Sequence, residues 1–366
     1  MFWMQFKTRT KQIIAALIVA VLFIGTGTTF LIPIPYYVIQ PGSATDVSPL
    51  VQVGNEKAEE KGSFLLTTIS LKEGSFFDYI AAKFSSHMEL VPRERILAQN
   101  ETDEEYQRRQ TENMIESQNN ALIAAFRQAK KPVTVNVLGV EVFQTLKNTP
   151  KLLQTGDLIK EVDHTPVQSS EKLIEYLKTK QPGDLVTVQL LRGKKRLEEK
   201  IQLIALPKSP GEQKERAGLG IIPLTRIQVK TTPSAKIMAE DIGGPSAGLM
   251  FSLEVLNRLL PEDLTRGLII AGTGTIDDRG RVGQIGGIQH KIVAAEREQA
   301  QVFFCPKDIQ PGDTNEKIAK ATAQKINSKM KIVPVSTLDE AVQYLRRLQV
   351  GLFQTSFKLN SLTEVA

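Results

Sequence analysis

Two short segments carry residue types that could do chemistry together. The first is Asp241-Ile242-Gly243-Gly244-Pro245-Ser246-Ala247-Gly248, which runs straight into a long apolar stretch. Pro245 suits a helix start, where its missing N–H costs nothing. A serine there lies beside backbone N–H groups that have no partner within the helix. Such groups can cap the helix through the serine, or hydrogen-bond a developing oxyanion. The second segment is Gly286-Gly287-Ile288-Gln289-His290-Lys291-Ile292. At about 100° per residue, Ile288, Lys291, Ile292 and Ala295 share one helical face, apolar except for the lysine. A lysine held in apolar surroundings tends to lose its proton and can act as a base. His290 points away from that face and reads as a surface histidine. Gly243, Gly244 and Ala247 are the candidates for shaping an oxyanion site around Ser246.

The remaining composition narrows the chemistry. One cysteine, Cys305, excludes an intramolecular disulfide or a cysteine-built zinc site, and three histidines leave little for a metal. No metal and no cofactor are expected. No phosphate-binding G-x-x-x-x-G-K-[ST] loop is present, so no ATP is expected to drive the reaction. The formal net charge is +6. Half of it sits on Lys7, Arg9 and Lys11 near the N-terminus, so the excess is too localised for nucleic-acid binding.

The elements that must position these residues follow from periodicity. Ile13 to Ile34 is uncharged and would span about 33 Å as a helix. It reads as an uncleaved membrane anchor in a lipid bilayer. By the positive-inside rule the basic N-terminus stays cytoplasmic and the rest of the chain is extracytoplasmic. Phe64 to Ile69 reads as a strand. Residues 76–130 read as mostly helical, with the acidic run at Glu101–Glu105 on a solvated face. Between 132 and 204 lie strands at Val133–Val137, Val140–Leu146, Leu158–Val162, Leu185–Leu191 and Leu197–Ile204. A helix at Ser169–Lys180 has Ser170 as N-cap and Leu173, Ile174 and Leu177 on one face. Strands are expected at Ile227–Lys230, Leu268–Ala271, Val302–Cys305 and Lys331–Val335. Helices are expected at Ala247–Leu260, Ile288–Ala300, Asn315–Ser328 and Leu338–Leu348.

Two resemblances stand out. Leu153-Gln154-Thr155-Gly156-Asp157-Leu158-Ile159, Val162-Asp163-His164-Thr165-Pro166-Val167, Gly183-Asp184 and Val186-Thr187-Val188 resemble a bacterial PDZ domain. That implies a peptide partner bound by strand addition, with Leu138-Gly139-Val140 as the carboxylate loop. Gly243–Gly248, Gly272-Thr273-Gly274-Thr275-Ile276, Gly280-Arg281-Val282 and Ile285–Lys291 resemble the proteolytic domain of Lon-type serine proteases. The resemblance implies Ser246 as nucleophile and Lys291 as general base, 45 residues apart. Cytosolic Lon proteins carry Asp where Gly243 stands and Thr where Asp277 stands. Asp277 would favour a charged Lys291 if it lay nearby.

With the anchor, the chain resembles the YlbL/SepM group of Gram-positive bacteria, some of which process secreted peptide pheromones. The expected fold class is therefore an N-terminal transmembrane helix, a PDZ-like β-rich domain and an α/β Lon-type proteolytic domain. The expected segments are a basic cytoplasmic N-terminus at 1–12, the anchor at 13–34 and an extracytoplasmic strand and charged helical region at 36–130. Then come the PDZ-like domain at 132–204, a linker at 205–216, the proteolytic domain at 217–349 and a tail at 350–366. The implied activity is ATP-independent serine endopeptidase cleavage of extracellular or unfolded peptides. The competing expectation is a membrane-tethered peptide-binding scaffold with an inactive Lon-like domain. Oligomeric state is left open.

Overall fold

The structure is a computed structural model, and it describes residues 32–54, 61–98, 101–146, 149, 152–206, 215–239 and 241–348. In chain order the elements used below begin with β1 Pro33–Asp46, β2 Ser63–Ser75, β3 Glu89–Pro92 and α1 Asp103–Gln128. Next come β4 Val133–Thr145, β5 Leu158–Val162, α2 Ser170–Leu177, β6 Leu185–Arg192, β7 Lys195–Gln202 and β8 Ile221–Thr231. They continue with α3 Gly248–Leu259, β9 Ile269–Gly272, β10 Thr275–Ile276, β11 Val282–Gly283 and α4 Ile288–Arg297. The last are β12 Val302–Pro306, α5 Asn315–Lys325, β13 Lys331–Val335 and α6 Leu338–Arg347. Contacts divide the chain into two compact units. One combines the residues up to Pro132 with those from Pro233 onward, and the other is Val133–Thr232.

The first unit is built on a sheet of order β13-β12-β9-β2-β1-β3. Its β13, β12, β9 and β2 are parallel neighbours, and β1 pairs antiparallel with β2 and β3. β12 reads Val-Phe-Phe-Cys-Pro and is buried throughout, the pattern of a parallel strand covered on both faces. α3 buries Leu249, Phe251, Leu253 and Leu256 almost completely, each side chain contributing about 1.5–3 kcal/mol. α1 begins at a capping box, Thr102 with Glu105, and carries Asp103, Glu104 and Glu105 in its first turn, where the helix dipole favours acids. Asp103 and Glu104 are exposed as expected, but Glu101 just before the helix is bound by Arg109 with its side chain 9% exposed, Ala121–Phe126 is buried and the helix packs against α3. Arg127 at its other end donates to the Asp278 carboxylate at 2.8 Å.

The second unit has the antiparallel strand order β8-β4-β5-β6-β7. Val140, Ile159, Val188, Leu190 and Ile201 meet in its core with Leu173 and Leu177 of α2. The buried Asp157 carboxylate is held by two bonds of 2.7 Å from the Arg192 guanidinium. α2 is capped by Ser169, whose Oγ accepts from the Lys172 N–H, one residue before the expected Ser170. Ile174 stays 42% exposed rather than joining the buried face.

The expected fold class needs correction at its N-terminus. Among the described residues no helix is long and apolar enough to cross a membrane. The anchor expected at 13–34 lies outside the described residues up to Leu31. At its end, Pro33 and Ile34 open strand β1 instead of closing a helix. Pro33 and Pro35 lack the N–H that a helical ladder requires, which accounts for the extended backbone there. The segments 1–12 and 350–366 lie outside the described residues too.

The structure also groups the segments differently from their linear order. The 36–130 segment supplies β1, β2 and α1 to the first unit. Residues 217–232 belong to the second unit, because β8 pairs with β4 from Ile221–Thr145 to Thr231–Val133. At the ends of the expected linker, Ile204–Leu206 pairs with Arg216–Gly218; residues 207–214 lie outside the described residues.

Candidate active site

Ser246 lies in the loop entering α3, but not at its cap. The helix starts at Gly248, and its N-cap is Ala247, which makes no side-chain capping bond. The Ser246 hydroxyl is therefore not used as a cap. It lies 2.9 Å from Lys291 Nζ on α4. α4 is entered through Gly287, whose φ of +70° is the left-handed region that favours glycine. Its inner face buries Ile288, Ile292 and Ala295, and Lys291 on that face is only 3% exposed. Burial lowers the Lys291 pKa from 10.5 to about 7. Desolvation disfavours the ammonium form, which makes the amine available as a base near neutral pH.

A third element closes the pair. Lys291 Nζ also donates to the main-chain carbonyl of Thr67 on β2. Thr67 is itself held by a 3.0 Å bond from its Oγ1 to the Gly272 carbonyl. With one N–H committed to Thr67, the lone pair of a neutral amine is free to face the serine hydroxyl. A cleft of about 910 Å³ opens over the pair, lined by Ile69, Gln110, Met114 and Gly244 among others.

Gly243 and Gly244 lie in the loop against α1. The Gly244 N–H donates to the Gln110 carbonyl at 2.9 Å, and Gly244 has a φ of +86°. Ala247 lines the cleft beside Ser246. Asp277 belongs to another arrangement. Its carboxylate accepts from the Arg281 N–H at 2.8 Å, the Arg279 N–H at 3.0 Å and the Arg281 guanidinium at 2.6 Å. Burial would raise its pKa, but these bonds outweigh burial and hold it below the usual carboxylate range. Asp277 is not among the causes of the Lys291 shift, which is due to burial.

His290 departs from the expected surface position. It is 4% exposed, with Nε2 3.4 Å from the Glu89 carboxylate of β3. Burial lowers its pKa against the opposing pull of Glu89. Its partner is thus Glu89 rather than Ser246.

Leu138, Gly139 and Val140 do not form a loop. They lie within β4, where Gly139 aligns with Arg226 of β8, and Val140 aligns with Thr225 on one side and Ile159 of β5 on the other. A Cβ on Gly139 would come 2.5 Å from the Ile159 carbonyl oxygen. Val140 is thus paired on both sides, whereas Gly139 is paired with β8 alone. The outer strands of this sheet are β8 and β7. Among the described residues, no group of three or more His, Cys, Asp or Glu side chains could hold a metal ion.

The nucleophile loop, the buried lysine and the segments between them can be set against known proteins. Residues 237–347 match the Lon protease (S16) C-terminal proteolytic domain. The Lon match covers the site loop, α3, α4 and the strands between and after them. Residues 114–203 match the PDZ domain. That match starts within α1 and stops short of β8, which completes the second unit's sheet. The Lon protease of Chloroflexus aggregans is 27% identical over 172 residues, 44% of this chain and 20% of that protein. Lon protease 1 of Myxococcus xanthus is 36% identical over 103 residues, 27% of this chain and 11% of that protein. The chain thus spans about a fifth or less of the length of these relatives. A solved PDZ domain of an SdrC-like protein from Listeria monocytogenes is 32% identical, covering 23% of this chain and 86% of that one, with a TM-score of 0.21.

Three contributors to the site escaped the sequence reading. Thr67 and Gln110 act through main-chain carbonyls, which every residue type possesses. Ser117 on α1 donates to the Pro245 carbonyl at 3.0 Å, and a helical serine within a polar run carries no motif.

Proposed function

We propose that this chain is a serine endopeptidase working through a Ser246–Lys291 dyad without a metal, a cofactor or ATP. The observation that carries this reading is the 2.9 Å approach of the Ser246 hydroxyl to a buried amine with a pKa of about 7. Neutral Lys291 takes the Ser246 proton as Oγ bonds to the scissile carbonyl carbon, and the carbonyl electron pair moves onto oxygen. The protonated lysine then gives its proton to the departing amine, and the C–N bond breaks. Neutral Lys291 then takes a proton from water as its oxygen bonds to the acyl carbon, the C–Oγ bond breaks and the proton passes to Ser246 Oγ.

The substrates in this reading are short or unfolded segments that can enter the cleft as extended chain. The second unit recruits them by pairing along an outer strand, β8 or β7. The resemblance to the YlbL/SepM group makes a secreted signalling peptide the first natural substrate to test. Cleavage of a fluorogenic peptide by wild type and Ser246→Ala tests the core of the proposal. Ser246→Ala is expected to lose several orders of magnitude in rate, with wild-type cleavage unaffected by added ATP or chelator. An Ser246→Ala variant retaining more than a few per cent of activity would refute it, leaving a peptide-binding scaffold as the reading.

A further inference from the structure

The peptide groups on either side of Ser246 are both held by side chains outside the loop, the Pro245 carbonyl also accepting from the Gly248 N–H at 3.5 Å. Ser117, on α1 and only 2% exposed, donates its hydroxyl to the Pro245 carbonyl at 3.0 Å. A helical serine commonly bonds the carbonyl one turn back, but this one reaches a different segment. Thr273 is buried and donates Oγ1 to the Ser246 carbonyl at 3.0 Å. The Gly274 N–H reaches the same oxygen at 2.9 Å.

A trans peptide group is planar, and its C=O and N–H point in opposite directions. Holding the Pro245 oxygen toward α1 therefore turns the Ser246 N–H away from α1. Holding the Ser246 oxygen toward Thr273 likewise turns the Ala247 N–H away from Thr273. Neither N–H has an acceptor among the described residues. Ser246 and Ala247 both line the cleft, and Ala247 is only 4% exposed. A buried N–H without an acceptor is rare and asks for a reason.

We propose that Ser117 and Thr273 are positioning residues that hold the Ser246 and Ala247 N–H groups as paired donors to the oxyanion. The proposal rests on the dyad reading above. When Oγ bonds to the scissile carbon, the carbonyl electron pair moves to oxygen and the proton passes to Lys291. The two N–H groups then meet a full negative charge, where an uncharged carbonyl oxygen stood before. Donors fixed in advance spend no reorganisation at that moment. Without Ser117, the Pro245 carbonyl keeps only the long 3.5 Å bond from the Gly248 N–H, and the Ser246 N–H leaves the cleft for part of the time.

The test measures kcat and KM on a fluorogenic peptide, together with Ki for a peptide boronate of the same sequence. The boronate forms a tetrahedral adduct with Ser246 and places an oxygen in the same position as the oxyanion. Removing one oxyanion donor outright costs about 10²–10³ in rate. Ser117→Ala and Thr273→Val, which only loosen a donor, are expected to lower kcat by about 10–100-fold with KM within about twofold. Boronate Ki should rise by the same factor as kcat falls. Ser117→Thr and Thr273→Ser keep a hydroxyl and should recover most of the rate. The pH midpoint of kcat/KM should stay in place, because the surroundings of Lys291 are untouched. Ser117→Cys, which keeps the volume and weakens the donor, serves if Ser117→Ala folds poorly. A loss appearing in KM alone, an unchanged boronate Ki or a failure of the hydroxyl-bearing variants would overturn the proposal. Ser246→Ala, assayed in parallel, separates the two levels. If it is active, the dyad itself fails. If it is inactive while Ser117→Ala and Thr273→Val behave as wild type, only the positioning role fails.

Discussion

Peptide cleavage should follow a single ionisation close to neutrality, and burial of Lys291 sets where. A lysine at its ordinary pKa of 10.5 is neutral in about one molecule in 3,000 at pH 7. With the pKa lowered to about 7, about half of the molecules are neutral at pH 7, about a tenth at pH 6 and about nine-tenths at pH 8. The competent fraction at neutral pH thus rises by about three orders of magnitude relative to a solvated lysine. The assay is kcat/KM on an uncharged fluorogenic peptide between pH 5 and 9 at constant ionic strength. This parameter reports ionisations of the free enzyme. Activity should fall tenfold per pH unit on the acid side and level off above about pH 8. Lys291→Arg, which cannot lose its proton, should be inactive throughout. A profile flat from pH 5 to 9, or one still rising tenfold per unit at pH 9, would refute the assignment of the base.

The same burial has a stability cost. The native pKa of Lys291 is depressed, so between about pH 7 and 10.5 the unfolded chain binds more protons and stability rises with pH. Below that window the penalty is fully present, about 5 kcal/mol at 1.36 kcal/mol per pH unit. Lys291→Met removes it and forfeits the bond to the Thr67 carbonyl, worth about 1–3 kcal/mol. Urea unfolding should therefore show Lys291→Met more stable than wild type at pH 6, with the gain shrinking steadily toward pH 10; a less stable variant at pH 6 would count against the penalty. Asp277→Asn should leave the pH midpoint of activity unmoved, since Asp277 is engaged by Arg279 and Arg281. A midpoint displaced by more than about half a unit would show coupling to Lys291. At Gly248 a Cβ would meet Ser117 Oγ and Ile276 Cγ2 at 2.8 Å each. Gly248→Ala should lower the thermal midpoint by the equivalent of about 1–3 kcal/mol, despite alanine's better helix propensity, and an unchanged midpoint would mean that the neighbours yield freely.

The segments that bring Ser246 within 2.9 Å of Lys291 were legible because both carry local signals, while the roles of the two side chains came from the resemblance. Glycines and a proline mark the turn before α3, and a 3.6-residue apolar period marks the inner face of α4. Lys291 stood out as the single polar side chain on that face. The burial of His290 was not legible, because its cover, Glu89 on β3, lies 201 residues away in the chain. Strand register across such distances leaves no local trace. The same limit explains why β8 was assigned to the proteolytic segment: its pairing with β4 depends on two runs of similar apolar character finding each other. The PDZ-like turns at Gly156-Asp157 and Gly183-Asp184 were readable from a few residues. The suggested carboxylate loop was not, since Leu138-Gly139-Val140 looks like a break between two strands and is in fact a bulged stretch within one.

The insertion of the second unit's residues into the sequence of the first has a consequence for how the protein is made. Ser63 of β2 aligns with Ile269 of β9, and the carbonyl that receives Lys291 lies 224 residues before it. A ribosome adding about 5–20 residues per second needs about 10–45 s to cover that distance. For most of that interval β1 and β2, joined later by α1, wait for β9, which follows only at Ile269–Gly272, while Val133–Thr232 can close on itself as soon as it appears. A nascent chain therefore completes the second unit before Ser246 and Lys291 can meet. The hydroxyl, the amine and the Thr67 carbonyl come together only after α4 has left the ribosome, so the site is among the last features of the fold to form.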